Sequence, residues 1–263
     1  MKHRVWELDF LRGLSIILMV FDHLMYDLKS LPYWFADFRD VNHPIGNWLQ
    51  EAAVWYWNSW LRADFHFVFV SIFLLVSGIS FTFSRSNWIR GMKFTLVAVL
   101  ISVVTMGVEM LYGLDIGIIF GIIHMFAVGT LLTLLVRKIW NNDVFVLILG
   151  VAIVAYGVSF HFWDVPYYAN LSWEAIPKII IGIRGYGADH FGIFPYVGMI
   201  MIGTVIGNIF YKDKKSLLPK WDGKWNRPFQ AAGRYTLWIF VVHQPVIMLL
   251  VVILGTIFGY HFE

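Results

Sequence analysis

Residues 8–28 read LDFLRGLSIILMVFDHLMYDL. As a helix, this stretch covers about 30 Å, the thickness of a bilayer's hydrocarbon core. It nevertheless carries Asp9, Arg12, Asp22, His23 and Asp27. Charges at membrane depth are costly, so such a helix turns them toward other helices or a watery cavity. A helix advances 100° per residue. Arg12 and His23 therefore differ by about 20° around the axis, and Asp9 and Asp27 fall within about 40° of His23. These four form one stripe about 27 Å long, and Asp22 lies off it by about 100°.

The surrounding composition fits a membrane setting. Hydrophobic residues make up 59% of the 263-residue chain and charged residues 14%, where a soluble domain carries about a quarter charged. The expected fold is all-α: one polytopic transmembrane domain over 1–263, with no separate soluble domain. Seven spans are expected, near 7–28, 62–84, 93–112, 116–136, 143–161, 191–211 and 234–259. The first is too long and too ionisable to be a cleavable signal peptide. Alternate loops hold most of the lysine and arginine: Lys2 and Arg4; Arg85, Arg90 and Lys93; Arg137 and Lys138; and the run from Lys212 to Arg227. The positive-inside rule then puts the N-terminus in the cytoplasm and the C-terminus outside. On the outer side, IGNWLQEAAVWYWNSWL in segment 29–61 and SWEAIPKIIIGIRG in segment 162–190 read as short interfacial helices.

The chain has no cysteine, which excludes disulfides, thiolate nucleophiles and cysteine metal sites. Histidines also lack metal-binding spacing within any helix, so no metal is expected. His23 falls near the outer end of its helix, where an imidazole suits proton transfer near neutral pH. Asp64 starts the second span at the same depth, with His66 and Glu109 near that level. His124 and His243 are expected nearer the midplane. Asp64, Ser71 and Gly78 recur every seven residues, which places them on one face for close helix contact.

Taken together, these segments resemble a known family. RVWELDFLRGLSIILMVFDHLMYDL is similar to the opening of bacterial membrane proteins related to the catalytic domain of heparan-α-glucosaminide N-acetyltransferase. FVSIFLLVSGISFTFSRS, FGIIHMFAVGTLL, HFGIFPYVGMIMIGTVIG and GRYTLWIFVVHQPVI resemble that family's later segments, in order. Tyr196–Val197 stands where the family usually has Pro–Trp. The resemblance implies an acyltransferase of the bacterial inner membrane. Acetyl-CoA or another acyl-CoA would enter from the cytosol, and a sugar, glycan or other envelope acceptor from outside. Arg12, Arg85 and Arg234 would meet the CoA phosphates at the cytoplasmic mouth. His243 and Gln244 would line the pantetheine arm or hydrogen-bond the thioester carbonyl. His23 would be general base or acyl carrier, with Asp64 orienting it and His124 beside the arm. In the lysosomal enzyme the corresponding histidine follows the first helix, so the base lies between His23 and His43.

Two other readings use the same residues: a proton-coupled transporter or channel along the stripe, or a scaffold whose buried ions only hold helices together. Nothing points to a nucleic-acid partner. Glycines in the last two spans (Gly198, Gly203 and Gly207; Gly255 and Gly259) suit helix contacts within a protomer or across a homodimer.

Overall fold

The computed structural model describes residues 5–113, 116–160, 165–187 and 189–261, apart from the side chains of Leu61 and Ala63. Lys2, Arg4 and residues 161–164, which enter the expectations above, lie outside the described set. The described chain is helical, with one isolated bridge between Tyr167 and Gly185 and no strand. In chain order the helices are α1 (Trp6–Lys29), α2 (Leu31–Trp34), α3 (Phe38–Val41), α4 (Pro44–Trp57), α5 (Trp60–Phe83) and α6 (Asn87–Tyr112). There follow α7 (Ile122–Ile139), α8 (Asp143–Ser159), α9 (Ile176–Ile181), α10 (Tyr196–Phe210), α11 (Arg227–Arg234) and α12 (Thr236–Ile257).

Among the described residues, four helical stretches are long and apolar enough to cross a membrane: Asp64–Phe83 of α5, then α6, α7 and α12. The helices α8 and α10 are apolar but shorter. The 24-residue α1 has the length, but it carries six charged side chains. On α6 and α12, large apolar side chains face outward: Leu96 is 71% exposed, Val103 65% and Ile257 71%. Exposed apolar surface on this scale requires a non-aqueous neighbour, and the protein is an integral membrane protein.

Several expected boundaries move, each for a local reason. The fourth span, expected from residue 116, becomes helical only at Ile122. Before it, the Gly117 N–H donates to the Glu109 carboxylate (2.6 Å) and the Ile118 N–H to the Thr105 hydroxyl (3.1 Å). The backbone is thereby satisfied without a helix. The sixth span begins at Tyr196 rather than 191 because Pro195, at the N-cap, offers no N–H to a preceding turn. Both interfacial expectations correspond to helices, α4 and the short α9.

The chain divides into two compact units, Met1–Phe73 with Leu218–Glu263, and Leu74–Leu217. In the first unit, α1 crosses α11 backbone to backbone. A Cβ on Gly13 would strike the Phe229 carbonyl, and one on Gly233 the Asp9 carbonyl. Only glycine permits that approach from both sides. Around it, Trp6, Phe10, Trp225 and Phe229 make edge-on and tilted ring contacts. At the other end of α1, Leu28, Leu31, Phe35, Phe38, Ala53, Ile247, Val251 and Tyr260 form a buried apolar cluster.

In the second unit, α10 is the most enclosed long helix, buried along most of its length. It meets α8 through Gly198 and Gly150, and the end of α5 through Gly203 and Gly78. Arg137 at the end of α7 ties this packing together. It donates to Thr204 of α10 (2.7 Å) and to Asp143 of α8 (2.8 Å).

Candidate active site

Two faces of α1 carry buried polar groups of the first unit. One is the C-terminal half of the expected stripe, and it meets α12. The His23 and His243 rings lie edge to face, with centroids 4.8 Å apart at 90°. One turn further along α1, Asp27 is 1% exposed and accepts from Gln244 Nε2 at 2.9 Å.

The tautomers follow from the partners. His23 Nδ1 lies 2.9 Å from the Met19 carbonyl, and His243 Nδ1 lies 2.6 Å from the Phe240 carbonyl. A carbonyl oxygen only accepts, so both Nδ1 atoms carry a proton, and in the neutral form of either ring the lone pair falls on Nε2. His243 Nε2 and Gln244 Oε1 are buried and have no hydrogen-bond partner among the described residues. Such groups are rare in folded proteins, because an unmet buried acceptor costs about 1–3 kcal/mol. Pro245 follows immediately inside α12 and cannot donate to the Val241 carbonyl. The His-Gln-Pro run therefore sits where the helix ladder is weakest.

The second polar face of α1 is the one the 100° offset of Asp22 foretold, but its partners were not foreseen. Asp22, 4% exposed, accepts two bonds from Arg62, at 3.0 Å from Nε and 2.9 Å from Nη2, and one from Tyr56 OH at 3.1 Å. The Arg62 guanidinium also lies 3.8 Å from the Trp57 ring centroid. Burial and the neighbouring Asp22 charge push the Tyr56 phenol up to about 12, so it remains a donor. Arg62 thus holds a buried carboxylate.

The remaining expected residues occupy different settings. Asp64 is exposed, and no hydrogen bond joins it to His23 among the described residues. His43 caps α4, accepting from the Gly46 N–H at 3.4 Å, and its ring stacks on Phe258 at 4.4 Å. Arg12 pairs with Asp9 at 2.8 Å on the stripe. Arg234 is exposed at the end of α11 and donates to the Gln230 carbonyl at 3.2 Å. In the second unit, Arg85 is exposed between α5 and α6.

Also in that unit, His124 is the third residue of α7, at a helix end rather than mid-span. Ser102 donates to the Ile118 carbonyl (2.7 Å) and so accepts from His124 Nε2 (2.9 Å). His124 Nδ1 accepts from the Gly121 N–H at 3.3 Å. Both ring nitrogens are thus engaged in fixing the start of α7. Nearby, Glu109 accepts from Tyr186 OH at 2.7 Å as well as from Gly117.

Among the described residues, no cluster of three or more acidic or histidine side chains has the arrangement of a metal site. The chain does match a family profile. The profile described as heparan-alpha-glucosaminide N-acetyltransferase, catalytic, covers residues 4–245. The chain belongs to this family. Membership makes it a membrane protein of an acetyltransferase family. No curated protein and no solved structure matches the chain. The matched region takes in His23, Asp27, His243 and Gln244.

Proposed function

We propose that this protein moves an acetyl group from cytosolic acetyl-CoA to an amine or hydroxyl of a sugar, glycan or other envelope acceptor on the outer side. The reading includes seven membrane crossings, made by α1, α5, α6, α7, α8, α10 and α12, with the N-terminus inside. Its carrying observation is the His23–His243 pair, two imidazoles whose Nδ1–H groups are held by helix carbonyls, with the buried His243 Nε2 left without a partner among the described residues.

His23 serves as general base. Its Nε2 takes the proton from the acceptor N–H or O–H as the acceptor's lone pair adds to the thioester carbonyl carbon. The carbon–sulfur bond then breaks, and the His23 imidazolium returns the proton to the departing thiolate. Fixing Nδ1–H on the Met19 carbonyl holds the ring in the tautomer this step requires.

The chemistry of the unpartnered atoms refines the expected role of His243 and Gln244. Both offer acceptors, and an acceptor cannot bind a thioester carbonyl. They suit donors instead: the amide N–H groups of a pantetheine arm, or the acceptor's own N–H or O–H. The residues therefore fit acetyl-CoA, which would supply the activated acetyl group. Arg234, exposed at the end of α11, supports the expected phosphate contact more readily than Arg12, which Asp9 already engages. His124 is better suited to holding α7 than to proton transfer.

Calorimetric titration of acetyl-CoA into the detergent-purified protein tests the donor half. Wild type should bind. Gln244→Leu should weaken binding about tenfold, the weight of one buried hydrogen bond. Absence of binding to the folded protein would overturn the proposal and favour a transporter using the same polar face.

A further inference from the structure

The C-terminal end of α1 opens onto a cleft of about 570 Å³, within the range of small-ligand sites. Its lining is divided by chemistry. Pro32, Ala36 and Val54 form an apolar part, backed by the buried Phe35 and Phe38. Lys29, Arg39, Tyr33 and Gln50 supply cations and hydrogen-bond donors. Neither Lys29 nor Arg39 forms an ion pair among the described residues. Asp37, two positions before Arg39, is taken by His261, whose backbone N–H and ring both bond its carboxylate. The Lys29 ammonium is held over the Tyr26 and Trp57 rings, 4.8 and 4.5 Å from their centroids.

The length of α1 sets the level of this cleft. Twenty-four residues make about 36 Å of helix, against about 30 Å of hydrocarbon. If α1 spans, its last turn reaches the headgroups. Exposed Tyr33, Trp48 and Trp55 in the same segment are the residue types that collect at that level. Every phospholipid presents a phosphate there, joined to an apolar body.

We propose that this cleft binds the phosphate of a bilayer phospholipid between Lys29 and Arg39, with the glycerol and upper acyl carbons against Pro32, Ala36 and Val54. The inference rests on the membrane-spanning reading of α1 and not on the acetyl transfer reaction. An acidic sugar would share the charge, but it presents hydroxyl groups on all sides, and the Pro32, Ala36 and Val54 side chains offer them no partner. The bound lipid would tie α2, α3 and α4 to the bilayer surface.

The test uses the full chain in neutral detergent without acetyl-CoA, so that its result is independent of turnover. Dioctanoyl phosphatidylglycerol, dioctanoylglycerol, inorganic phosphate and glucuronate are each titrated, with tryptophan fluorescence as the readout. Phosphatidylglycerol should bind at least tenfold tighter than the other three. Arg39→Gln, at an exposed position that folding tolerates, should remove most of that preference, and Lys29→Gln the rest. Equal affinity for dioctanoylglycerol would overturn the proposal. So would tighter binding of glucuronate, which would assign the cleft to acidic sugars, or a preference unchanged in both variants.

Discussion

Arg62→Met should destabilise the protein more than its partial exposure suggests. Arg62 supplies two of the three hydrogen bonds that Asp22 accepts, and the Asp22 side chain is only 5% exposed. Removing the guanidinium leaves a buried carboxylate with only the Tyr56 hydroxyl as partner. Breaking such a pair from one side costs about 3–5 kcal/mol. The reverse change, Asp22→Asn, should cost less, about 2–3 kcal/mol. The Arg62 side chain keeps 22% exposure and its place over Trp57, so its charge is less stranded. The double variant Asp22→Asn/Arg62→Met removes both charges and should be more stable than Arg62→Met alone. Thermal unfolding in detergent, followed by tryptophan fluorescence, reads all four proteins. At about 2–4 °C per kcal/mol for a chain of this size, Arg62→Met should lower the midpoint by at least about 6 °C. The double variant should recover part of that loss. Strictly additive losses would refute the claim that burial of an unpaired Asp22 is the cost.

Three further outcomes follow from particular contacts. Gly233→Ala should destabilise by about 1–3 kcal/mol, since its Cβ meets the Asp9 carbonyl; an unchanged unfolding midpoint would contradict the backbone-to-backbone crossing of α1 and α11. Tyr186→Phe should cost about 1 kcal/mol by leaving Glu109 Oε1 without its hydroxyl donor, read by thermal unfolding, while Tyr168→Phe serves as a control. The C-terminal tie should depend on acid: hydrogen bonds from His261 hold the Asp37 carboxyl below its usual 3.8. A depressed carboxyl stabilises the fold above its unfolded value and ceases to as pH falls through the lower folded value. Hydrogen exchange at the His261 amide should therefore lose protection only below pH 3.8, once intrinsic exchange is corrected for. Loss of protection already at pH 5 would contradict this.

Much of the site was legible because helix periodicity is exact enough to sort side chains by face. The 20° and 40° offsets put His23 and Asp27 on a common stripe, and the same arithmetic set Asp22 apart. What periodicity cannot supply is the partner. Arg62 stands forty positions from Asp22 and Gln244 stands 217 from Asp27, so no local pattern links them. Hydropathy also misplaced the start of α7. Gly117–Gly121 is as apolar as a helix, yet its backbone is satisfied by Glu109, Thr105 and His124 side chains. His124, expected nearer the midplane, therefore falls in the first turn of α7, where it caps the helix. The signal that it was a cap, a glycine three residues before it at the start of an apolar run, is too common to stand out.

The most direct test of the central claim is acetyl transfer by the purified protein with glucosamine as the probe acceptor. It is measured as CoA thiol release together with N-acetylglucosamine formation, for wild type, His23→Ala and His124→Ala. The account predicts turnover by wild type and a loss of about 10²–10⁴-fold in His23→Ala, with the unfolding midpoint retained. His124→Ala should instead lower the midpoint, leaving the rate of its folded fraction within a few-fold of wild type. Full turnover by His23→Ala would contradict the account.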